Sequence, residues 1–254
     1  MMKLLCSNFN GVADGLIGVR QLRSGFPDGN TTFLSGKLES LCLHSSRRCS
    51  FSSFESFENA RVLKVNLPAS RYGPLPGSQW KTNFKPVNNA ILEYKLFIPA
   101  DFDFVKGGKL PGLGGGRGNT GGKVPNGKDG WSVRFMFMEH GEICAYLYYP
   151  AMKGRFGEQF YLKSGSARFV LPRDKWIKIG LEVQMNELGK ENGWISCYID
   201  DELKLEKSGL LFRRTENLKI DHLLFSTFFG GADSSYAPLK DCFLLFKDFE
   251  VNGF

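Results

Sequence analysis

Residues 131–138 read WSVRFMFM, residues 139–141 EHG, and residues 142–149 EICAYLYY. Both apolar runs alternate with a period of two, the pattern of strands whose side chains point to opposite faces. In the first run Trp131, Val133, Phe135 and Phe137 share one face, and Ser132, Arg134, Met136 and Met138 the other. In the second, Ile143, Ala145, Leu147 and Tyr149 oppose Glu142, Cys144, Tyr146 and Tyr148. Glu139-His140-Gly141 fits a three-residue hairpin loop, which commonly closes on a glycine in the left-handed region. That loop sets Met138 opposite Glu142, Arg134 opposite Tyr146, and Ser132 opposite Tyr148. The two apolar faces then coincide, so turn and pattern agree on one register.

The rest of the chain extends the theme. Residues 61–67 (RVLKVNL), 90–97 (AILEYKLF), 176–186 (WIKIGLEVQMN), 194–200 (WISCYID), 222–229 and 242–251 read as further strands. Residues 160–171 read as a strand pair about Ser164-Gly165-Ser166. Helical periodicity is scarce. Many short strands with Gly, Asn and Asp turns predict an all-β chain, an antiparallel β-sandwich of jelly-roll type. The 254 residues, 42% of them hydrophobic, are enough for one sizeable core. Residues 59–254 are expected to form this domain. Residues 1–58 read least clearly: few acids among Ser and Arg fit a transit-like tail, and early strands of the same sandwich are the preferred reading. The start at Lys3-Leu4-Leu5 is interrupted by Ser7-Asn8, too early for a secretory apolar region. No apolar run approaches the roughly 18 residues of a membrane span.

The second face of the hairpin sets a guanidinium, two phenols and a hydroxyl side by side, within cross-strand reach. An ordinary amphipathic sheet face with tyrosines as β-formers would explain that much. The neighbouring residues 106–128 add a distinct signal. They are expected to form a Gly-rich loop carrying Lys106, Lys109, Arg117, Lys123 and Lys128, with no acid before Asp129. Such a loop lets its backbone approach a ligand closely, and a loop this long in a compact domain tends to be functional or disordered. Beside Arg134 it would make a positive cleft for an anionic ligand. The net charge of +7 fits acidic partners: polyuronates, nucleic acid or anionic surfaces.

Three ordered blocks resemble polysaccharide lyase family fourteen, which holds alginate and polyglucuronate lyases. They are Gly107-Gly108-Lys109-Leu110-Pro111-Gly112-Leu113, Trp131-Ser132-Val133-Arg134, and Tyr146-Leu147-Tyr148. Leu63-Lys64-Val65 upstream is similar too, as are 225–231 (FSTFFGG), Lys240-Asp241 and Asp248-Phe249 downstream. The resemblance runs from about the sixties to the C-terminus. It implies a β-jelly roll that cleaves uronic-acid polymers by β-elimination. It also implies a catalytic set of Lys109, Ser132, Arg134, Tyr146 and Tyr148. Lys106, Arg117 and Lys123 are the expected substrate-binding cations.

These residue types suit the chemistry. Elimination on a uronate needs the carboxylate neutralised, the C5 proton removed and O4 of the leaving sugar protonated. Arg134 can neutralise the carboxylate through a bidentate contact. A tyrosine can protonate O4. A lysine is a base only when neutral, and nearby cations or burial would lower its value from about 10.4. Lys109 as base with Tyr146 as acid, the reverse division, and Tyr148 as the acid all remain open. No cofactor and no metal are expected: the six cysteines form no CxxC pair, and His44, His140 and His222 are scattered. Cys42 and Cys49 could pair under oxidising conditions, which spacing cannot establish. Cys197 reads as core and Cys144 as cleft-facing. The GxGxxG at 116–121 lacks a following helix, and Lys123 lacks the Walker glycine. Nucleic acid is disfavoured as a partner because the aromatics form no RNP or OB pattern. A monomer acting on acidic polysaccharide outside the cell or at a wall is expected, without a membrane partner. The competing reading is a non-catalytic carbohydrate-binding jelly roll. Which uronate is cut is not legible.

Overall fold

A computed structural model describes residues 1–17, 19–33, 51–74 and 76–254. Cys42, Cys49 and His44 lie outside the described residues. The strands in chain order are β1 (Met2–Ser7), β2 (Gly15–Leu16), β3 (Asn30–Phe33), β4 (Ser52–Phe57), β5 (Ala60–Leu67), β6 (Ser78–Val87), β7 (Asn89–Phe97), β8 (Gly107–Gly116) and β9 (Gly130–Met138). They continue as β10 (Ile143–Tyr148), β11 (Glu158–Tyr161), β12 (Lys163–Ser164), β13 (Ala167–Arg168), β14 (Trp176–Gln184), β15 (Gly193–Ile199), β16 (Glu202–Leu210), β17 (Ile220–Phe229) and β18 (Cys242–Gly253). One short helix, α1 (Val19–Gly25), precedes β3.

Two antiparallel sheets face each other. A nine-stranded sheet runs β16-β15-β14-β7-β18-β5-β4-β2, with β1 also on β18. A seven-stranded sheet runs β11-β10-β9-β8-β17-β6-β3. β12 and β13 make a separate two-stranded ribbon. The inner faces interlock in one core. Leu63, Val65, Leu92 and Phe246 of one sheet meet Trp131, Val133, Phe135 and Phe225 of the other, all fully buried. Trp80 stacks on Phe225 with ring centroids 3.8 Å apart, and Phe225 meets Phe246 at 5.3 Å. These rings tie β6 and β17 to β18. The fold is the antiparallel β-sandwich expected from the alternation.

The hairpin has the expected register. Arg134 pairs with Tyr146 and Ser132 with Tyr148. The Gly141 amide donates to the Met138 carbonyl at 2.9 Å, and the Met138 amide to the Glu142 carbonyl at 2.7 Å. Gly141 has φ 79°, the left-handed conformation that the turn requires.

The stretch expected as one long loop is not one. Its first half is β8, a central strand held between β9 and β17. Glycine content suggested loop, but the ladder needs only backbone groups. Here missing side chains permit close packing. A Cβ on Gly112 would lie 2.0 Å from the Val133 carbonyl oxygen and 2.6 Å from the Arg134 Cα. The strand also carries a bulge. The register against β9 shifts between Leu110 and Gly112, leaving Pro111 as the extra residue. Lys109 pairs with Met136 and Gly112 with Arg134, so residues three apart share one face. Pro111 has no N–H to give to the ladder, which is why it is tolerated at a bulge.

Strands β6 and β16 are absent from those expected above. β16 is a largely polar edge strand. β6 alternates Trp80, Thr82 and Phe84 inward with Gln79, Lys81 and Asn83 outward, but contains Pro86. Within residues 1–58, β3 extends the seven-stranded sheet beside β6, while β1, β2 and β4 join the other sheet.

Gly112→Ala should overpack the β8–β9 seam and cost about 1–3 kcal/mol. For a chain of this size each kcal/mol is about 2–4 °C in Tm, so thermal unfolding should show a clear fall. An unchanged Tm would mean that the strands are not this close.

Candidate active site

The outer face of the seven-stranded sheet holds the polar set. Register puts Lys109 of β8 beside Met136 of β9, Arg134 of β9 beside Tyr146 of β10, and Ser226 of β17 beside Gln79 of β6. The Lys109 Nζ lies 4.2 Å from the centre of the Tyr146 ring and 2.8 Å from Met136 Sδ. The Arg134 guanidinium carbon is 5.9 Å from the same ring. One phenol therefore sits under two cations.

Most of the set is shielded. Arg134 is 2% exposed, Tyr146 7% and Tyr148 1%, while Lys109 and Gln79 are half-buried. Arg134 donates through Nη1 to Ser226 Oγ at 3.0 Å, and its buried Nε has no partner. The charges that bear on Lys109 come from Arg134 and Cys144, and those on Arg134 from Tyr148 and Tyr146. Among the described residues neither is paired with a carboxylate.

That environment sets the protonation states. Burial, and then the Arg134 charge, hold the Lys109 amine well below its ordinary 10.5. Burial brings Arg134 down to about 10, so it remains a cation at neutral pH. Burial and the hydrogen bond with Tyr148 raise Tyr146, which keeps its proton. Cys144 is pushed up to about 12 by burial and stays a thiol; it lies on the same face, opposite Met136, and is fully buried. Together these give an amine that can be neutral, a protonated phenol and a fixed positive charge.

Ser132 and Tyr148 share the face but are engaged by the loop after β8. Ser132 Oγ donates to the Asn119 carbonyl at 2.6 Å, and the Tyr148 hydroxyl accepts the Gly122 amide at 3.1 Å. The Gly157 amide hydrogen-bonds to Tyr146 from the far side of β10. Lys106 is exposed and donates to Ser235 Oγ at 2.9 Å. Ser235 belongs to the 3-10 turn Ser234–Tyr236, capped by Asp233. Arg117 and Lys123 are exposed on the loop after β8. The Lys81 ammonium fixes that loop by donating to the carbonyls of Arg117, at 2.6 Å, and Gly116, at 3.2 Å.

Gln79 stands on β6, a strand outside those expected from the alternation. Ser226 falls inside the block 225–231, where nothing local marks it out. His222 is fully buried beside Asp221, and a Cβ on Gly118 would lie 2.7 Å from its Nε2. His140 is exposed on the hairpin turn, and Cys197 is core. Among the described residues no three His, Cys, Asp or Glu side chains are grouped to hold a metal. A separate hollow of 620 Å³ near the hairpin turn is lined partly by Asp101, His140, Arg173 and Lys240. Its cations are already engaged, Lys240 with Asp101 at 2.7 Å and Arg173 with the Phe102 carbonyl at 3.1 Å.

The family model described as Polysaccharide lyase 14 matches residues 56–249. The chain belongs to polysaccharide lyase family 14. Several solved structures share the whole architecture. The alginate lyase Aly36B is 19% identical, with a TM-score of 0.80 over 100% of this chain and 98% of its own. The marine PL-14 alginate lyase from Aplysia kurodai is 27% identical, with a TM-score of 0.70 over 80% of this chain and 87% of its own. Exolysin of Paramecium bursaria Chlorella virus 1 is 23% identical over 226 residues, 78% of this chain. The chain spans about a third (34%) of the length of that curated relative. Family and fold agree.

Replacing Lys109 by Met should raise Tm. The folded state holds this amine below its ordinary value, so at neutral pH the unfolded state binds more protons and folding carries a cost. That cost is full below the lowered value and vanishes above 10.5. The Tm gain should therefore be largest at low pH and shrink as pH rises. A Tm loss at every pH would show that the amine is not disfavoured where it sits.

Proposed function

We propose that the chain cleaves a uronic-acid polymer by β-elimination, leaving an unsaturated uronate at the new non-reducing end. The observation that carries this is the pairing of Lys109 and Arg134 around one phenol with no acid against either. An uncompensated, largely buried guanidinium favours an incoming carboxylate, and a lysine of lowered basicity beside it is suited to take a proton at neutral pH.

The step balances as follows. Arg134 binds the carboxylate and stabilises the negative charge that develops as C5 loses its proton. The neutral Lys109 amine takes that proton. The electron pair forms the C4–C5 double bond, and the C4–O4 bond breaks. Tyr146, kept protonated by burial, gives its proton to the departing O4. Exchange with water returns both groups to their starting forms. Ser132 and Tyr148 then act mainly by fixing the loop after β8, and Lys106, Arg117 and Lys123 add positive charge along its walls. Residues 59–254 supply this machinery, and β1 to β4 add strands to the same sandwich. Alginate or polyglucuronate is the substrate class, because the structural relatives carry the name alginate lyase and bear the same fold. A polymer of this kind implies action outside the cell or at a wall. No helix among the described residues is long and apolar enough to cross a membrane.

Incubation with polymannuronate, polyguluronate and polyglucuronate should produce near-UV absorbance from unsaturated ends on at least one of them. New reducing ends without absorbance would mean hydrolysis, and binding without either would mean a carbohydrate-binding module.

The pH dependence follows from the same groups. kcat/KM should rise as Lys109 loses its proton, with a midpoint well below 10.5, and fall as Arg134 approaches neutrality at about 10. A single rise near the ordinary lysine value would remove Lys109 from the role of base.

A further inference from the structure

We propose that Gln79 of β6, anchored on Ser226, is a second contact for the substrate carboxylate beside Arg134. The inference deepens the polyuronate-lyase reading and rests on it. Ser226 is fully buried, and its Oγ faces two donors, Arg134 Nη1 at 3.0 Å and Gln79 Nε2 at 2.9 Å. A hydroxyl can accept twice, but its own proton then has no acceptor in this arrangement. Turning the Gln79 amide over resolves this. The Ser226 hydroxyl then donates to Gln79 Oε1, and both amide N–H groups are released. Oxygen and nitrogen ends of such an amide are assigned from the surrounding hydrogen bonds.

Position favours the outer face of the seven-stranded sheet as the destination of those N–H groups. Gln79 pairs with Ser226 and so shares the outer face with Arg134. It is half-buried, whereas Ser226 and Arg134 are closed off. The link to Arg134 crosses β8 obliquely: Arg134 stands opposite Gly112, and Ser226 lies between Leu224, opposite Gly112, and Phe228, opposite Lys109. An N–H pair one hydroxyl away from a lone guanidinium matches a carboxylate, which accepts on both oxygens. A neutral amide completes such a site without adding a third charge beside Lys109 and Arg134. Ser226 acts as a positioning residue, setting both donors on one oxygen.

The test combines variants with substrate chemistry. Gln79→Ala, Gln79→Glu and Ser226→Ala are assayed for kcat and KM on the polyuronate that wild type cleaves. Binding of the uronate oligomer and of its carboxyl-reduced counterpart is then measured by calorimetry, with Lys109→Met as the background to prevent turnover. Gln79→Ala should weaken acid-oligomer binding about 10-fold or more, the usual scale of a hydrogen bond to a charged group. The penalty should disappear on the carboxyl-reduced oligomer. Gln79→Glu should lose more than Gln79→Ala, with partial recovery at low pH as the new acid is neutralised. Ser226→Ala should show a smaller loss of the same kind. Equal penalties on acid and reduced oligomers, or a fall in Tm with KM and affinity unchanged, would make Gln79 a structural strut and overturn the proposal. If wild type formed no unsaturated ends from any polyuronate, the lyase reading would fail first and this inference with it. An active wild type with an indifferent Gln79→Ala would refute the inference alone.

Discussion

Two cations, Lys109 and Arg134, are held on one sheet face around one tyrosine ring without an acid to balance them. Other lysines among the described residues are paired with acids. On the nine-stranded sheet Lys178 meets Glu93 at 2.7 Å and Lys95 meets Asp248 at 3.0 Å. Those pairs are half-buried, and each cation has a carboxylate in reach. The opposite arrangement is costly to fold and useful for chemistry. It lowers the affinity of an amine for its proton and leaves a fixed positive site for a carboxylate.

The fold enforces that arrangement from below. The core rings lock β6, β17 and β18 together, so the outer face is carried on a stiff support. Within that face the Pro111 bulge fixes the phase. Without the extra residue, Lys109 and Gly112 would point to opposite sides, and the amine would leave the side that holds Arg134. From β9 the guanidinium reaches across β8 to Ser226 of β17. The loop after β8 ties itself to Ser132 and Tyr148, and the loop before β11 reaches Tyr146 through Gly157. The phenols are thereby fixed from three strands and two loops.

Legibility in the sequence followed the range of the interactions. The hairpin could be read because its turn, its alternation and its register are local and mutually consistent, and they place Ser132, Arg134, Tyr146 and Tyr148 on one face. Lys109 was reached through its motif block, since composition alone suggested loop where β8 runs. A glycine-rich strand carries no side-chain alternation to betray it, and its identity rests on neighbours far away in the chain. Gln79 and Ser226 were harder still. Their alignment with Arg134 depends on the order of four strands across the sheet, which periodicity does not contain. The burial of Tyr148 and His222 comes from a covering loop, and strand patterns say nothing of what lies above a face.

The central claim is electrostatic, and the most direct measurement is the titration of the Lys109 side chain itself. NMR of the ε-position with pH, assigned by comparison with Lys109→Met, would report it in the wild type and in Arg134→Met. The account predicts a midpoint well below 10.5 in the wild type and a partial return upward when the guanidinium is removed. An amine that titrates near 10.5 in both proteins would contradict it.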